Sequence, residues 1–283
     1  MVAMGAIWYH VVYIESNTPS IFGARARAAE RRLCIWSKMQ DSLAVTHRTA
    51  VPNSVRSNIY VDGFNLYYGA VKHTAFKWLD IAAMCRQVLP GITINRIRYF
   101  TALVKSNPSN PQTRLRQDFY IRALETIPNL TIHYGHFLQS TVCMRLANPP
   151  QSGPRMVEVL KMEEKGSDVN IATYMLTDAF RKDCDQLIVI TNDSDLAEPV
   201  RIINRELKVP VGIFNPHTSD TAKRRSAATG RQEKAAPSIM LKKEARFIRD
   251  IRSDGPNSHV ALSQFPDRLI DANGHVIIKP SNW

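Results

Sequence analysis

The sequence predicts an α/β fold with a central, mostly parallel sheet and helices on both of its faces. Three observations predict it. Between Ser57 and Pro216, short β-rich runs alternate with segments of helical apolar spacing, and such alternation demands crossover connections. The run Gln186-Leu187-Ile188-Val189-Ile190-Thr191 is continuously apolar, as a parallel strand buried on both faces requires. Acidic residues fall directly after strands, Asp62 after the first and Asp193 and Asp195 after this buried one.

The elements follow in order. Asn58-Ile59-Tyr60-Val61 is the first strand, ending at Asp62-Gly63. Residues 66–89 read mainly as helix, closed by Pro90-Gly91. Residues 97–103 form the second strand, 112–126 a helix and 130–137 the third strand. Residues 142–146 and 156–161 are expected to pair as a hairpin across the Pro- and Gly-rich turn 149–154. Asp168 opens a helix on which Val169, Ala172, Leu176 and Phe180 share one face. Ser194 or Asp195 is expected to cap the next helix, with Pro199 tolerated in its first turns. Residues 209–214 are the last strand of the series. A basic, small-residue segment follows at 221–237, then an expected helix at 241–251. The tail 265–283 carries a turn at Asn273-Gly274 and an apolar run at Val276-Ile277-Ile278. The expected organisation is thus an appended arm of unassigned role (1–56), a catalytic α/β domain (57–216), and a basic loop with a helix and tail packing on that domain (217–283).

Composition narrows the partners. The 283 residues hold 37 Lys+Arg against 25 Asp+Glu, a formal net charge of +12. A surplus of this size attracts polyanions, nucleic acid first and an anionic membrane surface second; its plainest meaning is solubility alone. No stretch reaches the ~18–20 apolar residues needed to cross a bilayer, and the apolar start at 1–14 lacks a basic leader region. These features predict a cytoplasmic protein with no membrane partner. Cys34, Cys85, Cys143 and Cys184 are scattered, with no CxxC pair and no His at zinc-ligand spacing. A structural zinc site is therefore not expected, and the thiols read as small core hydrophobes of a reducing compartment.

The carboxylates carry the chemistry. In an open parallel sheet, ligands collect at the carboxyl ends of the strands. The βα pattern brings Asp62, Asp193 and Asp195 to that rim, and Asp168, at the start of a helix, to its neighbourhood. Converging carboxylates repel unless a divalent cation neutralises them, and an all-oxygen set suits Mg²⁺ or Mn²⁺. Each residue also has an ordinary structural role open to it. Asp62-Gly63 is a common turn pair, and Asp168 and Asp195 are apt helix caps. Singly, those roles are the better reading; together, the coincidence at strand ends favours a metal site. Thr191-Asn192-Asp193-Ser194-Asp195 is the sharpest feature, because two acids around one small residue exceed what a cap requires. Asn65 is either a cap on the following helix or a polar group holding a phosphate, a water or a neighbouring carboxylate. Glu164 and Lys165 read as surface charges, or as an outer ligand and a phosphate contact.

Three motifs then match a known family. Ile59-Tyr60-Val61-Asp62-Gly63-Phe64-Asn65-Leu66 resembles the opening motif of NYN domains, a branch of the PIN-like nucleases. Glu164-Lys165-Gly166-Ser167-Asp168-Val169 resembles the second motif, and Thr191-Asn192-Asp193-Ser194-Asp195-Leu196 the third. Order and spacing agree over roughly residues 57–214, and the end Lys279-Pro280-Ser281-Asn282-Trp283 is similar to that of some bacterial NYN proteins. The resemblance implies a PIN-like three-layer α/β/α sandwich and Mg²⁺- or Mn²⁺-dependent cleavage of RNA, in a fold that often pairs as a homodimer. It assigns Asp62, Asp168, Asp193 and Asp195 as acidic ligands, with Asn65 as their polar companion. Lys165, Asn192, Ser194, Lys223, Arg224 and Arg225 are the expected substrate contacts. Arg96, Arg98, Arg114 and Arg116 are further candidates for the substrate track, and Tyr67, Tyr68 and Phe76 for base stacking, although such residues more often serve a solvated face or the core.

Rival functions fit less well. A catalytically silent RNA-binding module predicts missing carboxylates, yet the set is complete. A phosphatase of the haloacid dehalogenase type wants a second acid two residues after Asp62, where Phe64 stands. A dinucleotide-binding enzyme needs a Gly-rich turn after the first strand, and Gly63 stands alone.

Overall fold

A computed structural model describes residues 54–104, 111–218, 236–281 and 283, with Ala222, Lys223, Ser226, Ala227 and Gly230 between them. The expected arm, apart from 54–56, and the candidates Arg224 and Arg225 lie outside the described residues.

The chain runs β1 (Arg56–Asp62), α1 (Gly63–Leu66), a π turn (Tyr67–Val71), α2 (Ile81–Val88), β2 (Thr93–Thr101), α3 (Thr113–Glu125) and β3 (Leu130–Tyr134). It continues with β4 (His136–Arg145), β5 (Met156–Lys165), α4 (Ser167–Phe180), β6 (Gln186–Ile190), a 3₁₀ turn (Ser194–Leu196), α5 (Ala197–Arg205) and β7 (Val211–Asn215). It closes with α6 (Ile239–Glu244), β8 (Phe247–Asp250), β9 (Arg268–Ile270) and β10 (Val276–Ile278). Six strands form one sheet in the order β3-β2-β1-β6-β7-β8, every neighbouring pair parallel.

The pleat of β1 explains the two cores. Ile59 and Val61 face one layer, with α2, α3 and the C-terminal tail; Tyr60 faces the other, with α4, α5 and α6. All three side chains are fully buried, as a central parallel strand requires. Outside the sheet, β4 and β5 form an antiparallel hairpin from His136↔Lys165 to Arg145↔Met156, longer than the sequence suggested.

Four local expectations are corrected. The helix expected over 66–89 breaks after the π turn. Thr74 ends it, its hydroxyl donating to the Val71 carbonyl at 2.8 Å and accepting from Phe76 N–H at 3.0 Å. The chain then buries Trp78, whose indole N–H donates to Pro266 O at 2.8 Å, and restarts at Asp80, which caps α2 by accepting from Ala83 N–H at 2.9 Å.

On α4, the expected apolar face is only partly buried: Val169 is 70 % and Phe180 76 % exposed and Ala172 and Leu176 are half-buried, while Ile171, Met175 and Ala179 are fully buried. Registering the helix one or two residues away satisfies the same three- and four-residue spacing. The helix expected over 241–251 ends at Glu244, and Phe247–Asp250 becomes edge strand β8. Gly212 permits that pairing, because a side chain there would collide with the Phe247 ring. Neither Ser194 nor Asp195 caps α5: a 3₁₀ turn leads into it, and Asp193 caps that turn, its carboxylate accepting the Asp195 N–H at 3.0 Å.

Candidate active site

β1 leads through α1 and α2 to β2 on one side, and β6 leads through α5 to β7 on the other. Their carboxyl ends therefore flank the point where the winding reverses, and a crevice opens there in sheets of this kind. Asp62 ends β1, and Thr191-Asn192-Asp193 follow β6, on the two lips of this crevice. Gly166, in the left-handed region at φ 99°, turns the chain out of β5 and starts α4, with Asp168 in its first turn.

Asp62 is the most buried of the four candidate acids, 7 % exposed. One carboxylate oxygen accepts the Asn65 N–H at 2.9 Å and the other the Thr191 hydroxyl at 3.2 Å. Burial, with added repulsion from Asp168 and Asp193, pushes its pKa up to about 6 against those two bonds. Asp168 is half-buried and also raised, first by burial and then by Asp193, Glu164 and Asp195. Asp62 therefore feels the charge of Asp168 and Asp193, and Asp168 that of Asp193, Glu164 and the exposed Asp195.

Asn65 ties the first motif to the third: its side-chain oxygen accepts the Asn192 backbone N–H at 3.0 Å. The Asn192 side chain in turn holds the returning chain, accepting from Ser238 N–H at 2.6 Å and donating to Ala236 O at 3.4 Å. Thr191, which the sequence did not single out, spans the crevice by donating to Asp62 and accepting the Asp193 N–H at 3.1 Å. A Thr at a strand end carries no distinguishing signal, and only the β1–β6 pairing gives it this role.

Ser194 and Lys223 are exposed, and Lys165 is exposed with its ammonium 3.5 Å from Glu163. Glu164 accepts the Ser167 hydroxyl at 2.8 Å. Arg96 and Arg98 are not part of a substrate track on this rim. Arg98 forks onto both oxygens of Asp178 at 2.9 and 3.1 Å, and Arg96 pairs with Asp183 at 2.9 Å. Their task is to neutralise Asp178, which is 2 % exposed at the far end of α4. Arg114 pairs with Asp118 one helical turn on, at 2.8 Å, and Phe76 packs against the core. Cys85 and Cys184 are buried as expected, whereas Cys143 is exposed on the hairpin.

A cavity of about 280 Å³ is lined in part by Gly63, which follows Asp62 in the chain. Tyr67, Tyr99, Tyr120 and Trp283 wall it, and Lys77 and Arg116 line it as well. Among the described residues, no three His, Cys, Asp or Glu side chains close tightly enough to enclose a metal ion. The donor set nevertheless fits Mg²⁺ or Mn²⁺. It is wholly hard oxygen, burial and neighbouring carboxylates raise the Asp62 and Asp168 carboxyls, and Mg²⁺ commonly keeps several waters while binding one or two carboxylates.

The chain is similar to two further proteins. The chain is 28 % identical over 253 residues to a protein of Pseudomonas putida named 6-hydroxy-3-succinoylpyridine 3-monooxygenase HspA, covering 81 % of this chain and 75 % of that one. It aligns with the crystal structure of a protein of unknown function from Vibrio parahaemolyticus at a TM-score of 0.42 and 15 % identity, covering 72 % of this chain and 96 % of that one. Residues 56–230 match the NYN domain, which takes in all three motifs, and this chain belongs to the NYN domain family.

Proposed function

We propose that this chain is a metal-dependent endoribonuclease that hydrolyses RNA phosphodiester bonds at the crevice between β1 and β6. The observation that carries the reading is that Thr191 bridges the Asp62 carboxylate to the Asp193 backbone at the switch point of a parallel sheet, with Asp168 near enough to help push the Asp62 carboxyl up. Membership of the NYN family and the net charge of +12 support it.

In this reading Asp62 and Asp193 would hold Mg²⁺ or Mn²⁺, with Asp168 and Asp195 completing the shell or orienting the attacking water. The bound cation supplies an acidified water and a polarised phosphate. Thr191 and the Asn65 N–H fix the Asp62 carboxylate, so both of its oxygens keep their direction. Asn65 keeps the β1 turn in register with the β6 turn. Asn192, Ser194, Lys165 and the basic segment around Lys223, Arg224 and Arg225 take the substrate backbone. The products are a 5′-phosphate and a 3′-hydroxyl.

The test is cleavage of mixed RNA by wild type and Asp193→Asn in Mn²⁺, Mg²⁺ and EDTA. Cleavage lost in EDTA and in the variant is expected. Salt-sensitive RNA binding without cleavage in any metal, unchanged in the variant, would instead identify an RNA-binding module of the same fold.

A second reading has its own support. The Pseudomonas putida relative is named for a reaction on a succinoylpyridine, and the alignment spans most of both chains. Action on a small heteroaromatic compound is the corresponding reading for this chain. Turnover of 6-hydroxy-3-succinoylpyridine, with RNA left intact, would favour it over the first.

A further inference from the structure

We propose that the outward face of α4 is a docking surface for α4 of a second copy of this chain, the two helices lying antiparallel across a two-fold axis. The inference stands on the helix face and does not depend on RNA cleavage.

α4 is apolar on two sides. Ile171, Met175 and Ala179 are buried in the core, while Val169, Thr173, Leu176 and Phe180 recur at three- and four-residue spacing on the opposite side. Val169 and Phe180 are largely exposed, and Leu176 is half-buried. The charged residues of the helix are Asp168, at its start, and Asp178, which is buried, so the outward stripe from Val169 to Phe180 carries no charge. The Thr173 and Thr177 hydroxyls donate to the Val169 and Thr173 carbonyls, both at 2.7 Å, and are thereby spent inside the helix. A surface helix ordinarily turns charge to solvent, and one that is apolar on opposite sides is suited to being covered on both.

The stripe matches itself. A two-fold axis passing between Tyr174 and Met175 sets Val169 against the partner's Phe180, Ala172 against the partner's Thr177 and Thr173 against the partner's Leu176. An interface between identical copies requires this reciprocity, in which each contact occurs twice. Ala172, Thr173 and Thr177 are small and stand near the centre, where two helix axes can approach to about 8–10 Å. Val169 and Phe180 then clasp the two ends.

Charge selects the orientation and the occupant. The stripe itself offers no cation to a phosphate backbone, which disfavours RNA on this face. Arg181 and Lys182, both exposed, follow directly after Phe180, and the next acids are engaged elsewhere: Asp183 by Arg96 and Asp185 by Arg56, each at 2.9 Å. The other end of the helix carries Glu164 and Asp168, and Lys165 beside them is answered by Glu163 at 3.5 Å. Antiparallel docking brings the cations of each copy to the acids of the other, at both ends of the interface, whereas a parallel pair would set like charges together. The 14-residue helix is about 21 Å long. One such face from each copy buries less than about 1,200 Å² in total, the size of weak interfaces, so pairing is expected at micromolar concentration.

The test is sedimentation equilibrium of the full chain from nanomolar to submillimolar concentration. Wild type should pass from 32.0 kDa to twice that mass, with a micromolar Kd. Phe180→Glu should raise Kd at least tenfold, and so should Val169→Lys. Both positions are exposed, so the circular dichroism spectrum of each variant should match wild type. Because Val169 meets the partner's Phe180, the chain carrying both substitutions should pair at least threefold more tightly than either single variant. A chain that stays at the mass of one copy at every concentration would overturn the proposal and leave the face to a different partner. A dimer indifferent to both single substitutions would overturn it, as would a double variant that pairs no more tightly than the singles. Asp193→Asn should lose RNA cleavage and keep the wild-type Kd, so the nuclease reading and this one fail separately.

Discussion

The side-chain oxygen of Asn65 accepts the backbone N–H of Asn192 at 3.0 Å, joining the turn after β1 to the turn after β6. This bond crosses the crevice between the two motifs that carry Asp62 and Asp193, and it makes their separation a property of the fold.

Removing that bond should loosen the site. Asn65→Ala leaves the Asn192 N–H without its partner, at a cost of about 1–2 kcal/mol in urea unfolding. Because Asp193 follows Asn192, RNA cleavage should fall by a larger factor than the stability loss explains, with RNA affinity nearly unchanged. Cleavage at the wild-type rate in a folded Asn65→Ala protein would show that the bond does not position the acids.

Asp62 gives a pH signature in the metal-free protein. A carboxyl whose folded-state pKa exceeds its unfolded value contributes most when protonated, so its contribution is full below the ordinary carboxylate range. It is lost as pH rises through about 6. In EDTA, wild type should therefore lose stability between pH 4 and 7 relative to Asp62→Asn, by on the order of 2–3 kcal/mol. The two stability curves should meet at low pH. Parallel curves across this range would mean that the Asp62 carboxyl is not held in a raised state.

Arg98 is a structural cation and should behave as one. Arg98→Ala strips the fork from Asp178, leaving a buried carboxylate that also accepts the Tyr60 hydroxyl at 2.7 Å. A loss of about 3–5 kcal/mol in unfolding free energy is expected. The affinity of the folded fraction for RNA should not change; a weakened affinity with full stability would return Arg98 to the substrate track.

Gly63 is predicted to tolerate no side chain. A β-carbon there would lie 2.7 Å from the Phe100 carbonyl oxygen and from the Tyr99 ring. Gly63→Ala should cost roughly 1–3 kcal/mol through forced displacement. RNA cleavage should suffer as well, because Gly63 directly follows Asp62. Thermal melting and the RNA cleavage assay check this together.

The sequence by itself determined the class of fold, the central strands and the three motifs. Those features are local: a run such as Leu187–Ile190 has no environment open to it except burial on both faces, and Asp62-Gly63 must turn. It did not determine which face of α4 is buried, because Val169/Ala172/Leu176 and Ile171/Met175 satisfy helical spacing equally. Nor did it reveal β8, whose identity rests on Gly212 admitting the Phe247 ring from a distant part of the chain. Tertiary structure alone decided that Arg98 serves Asp178, that Thr191 serves Asp62, and that Trp283 and Tyr67 line one cavity. Each of these depends on contacts between residues tens to hundreds of positions apart. Such contacts follow from how strands pair and layers stack, and local spacing does not encode them.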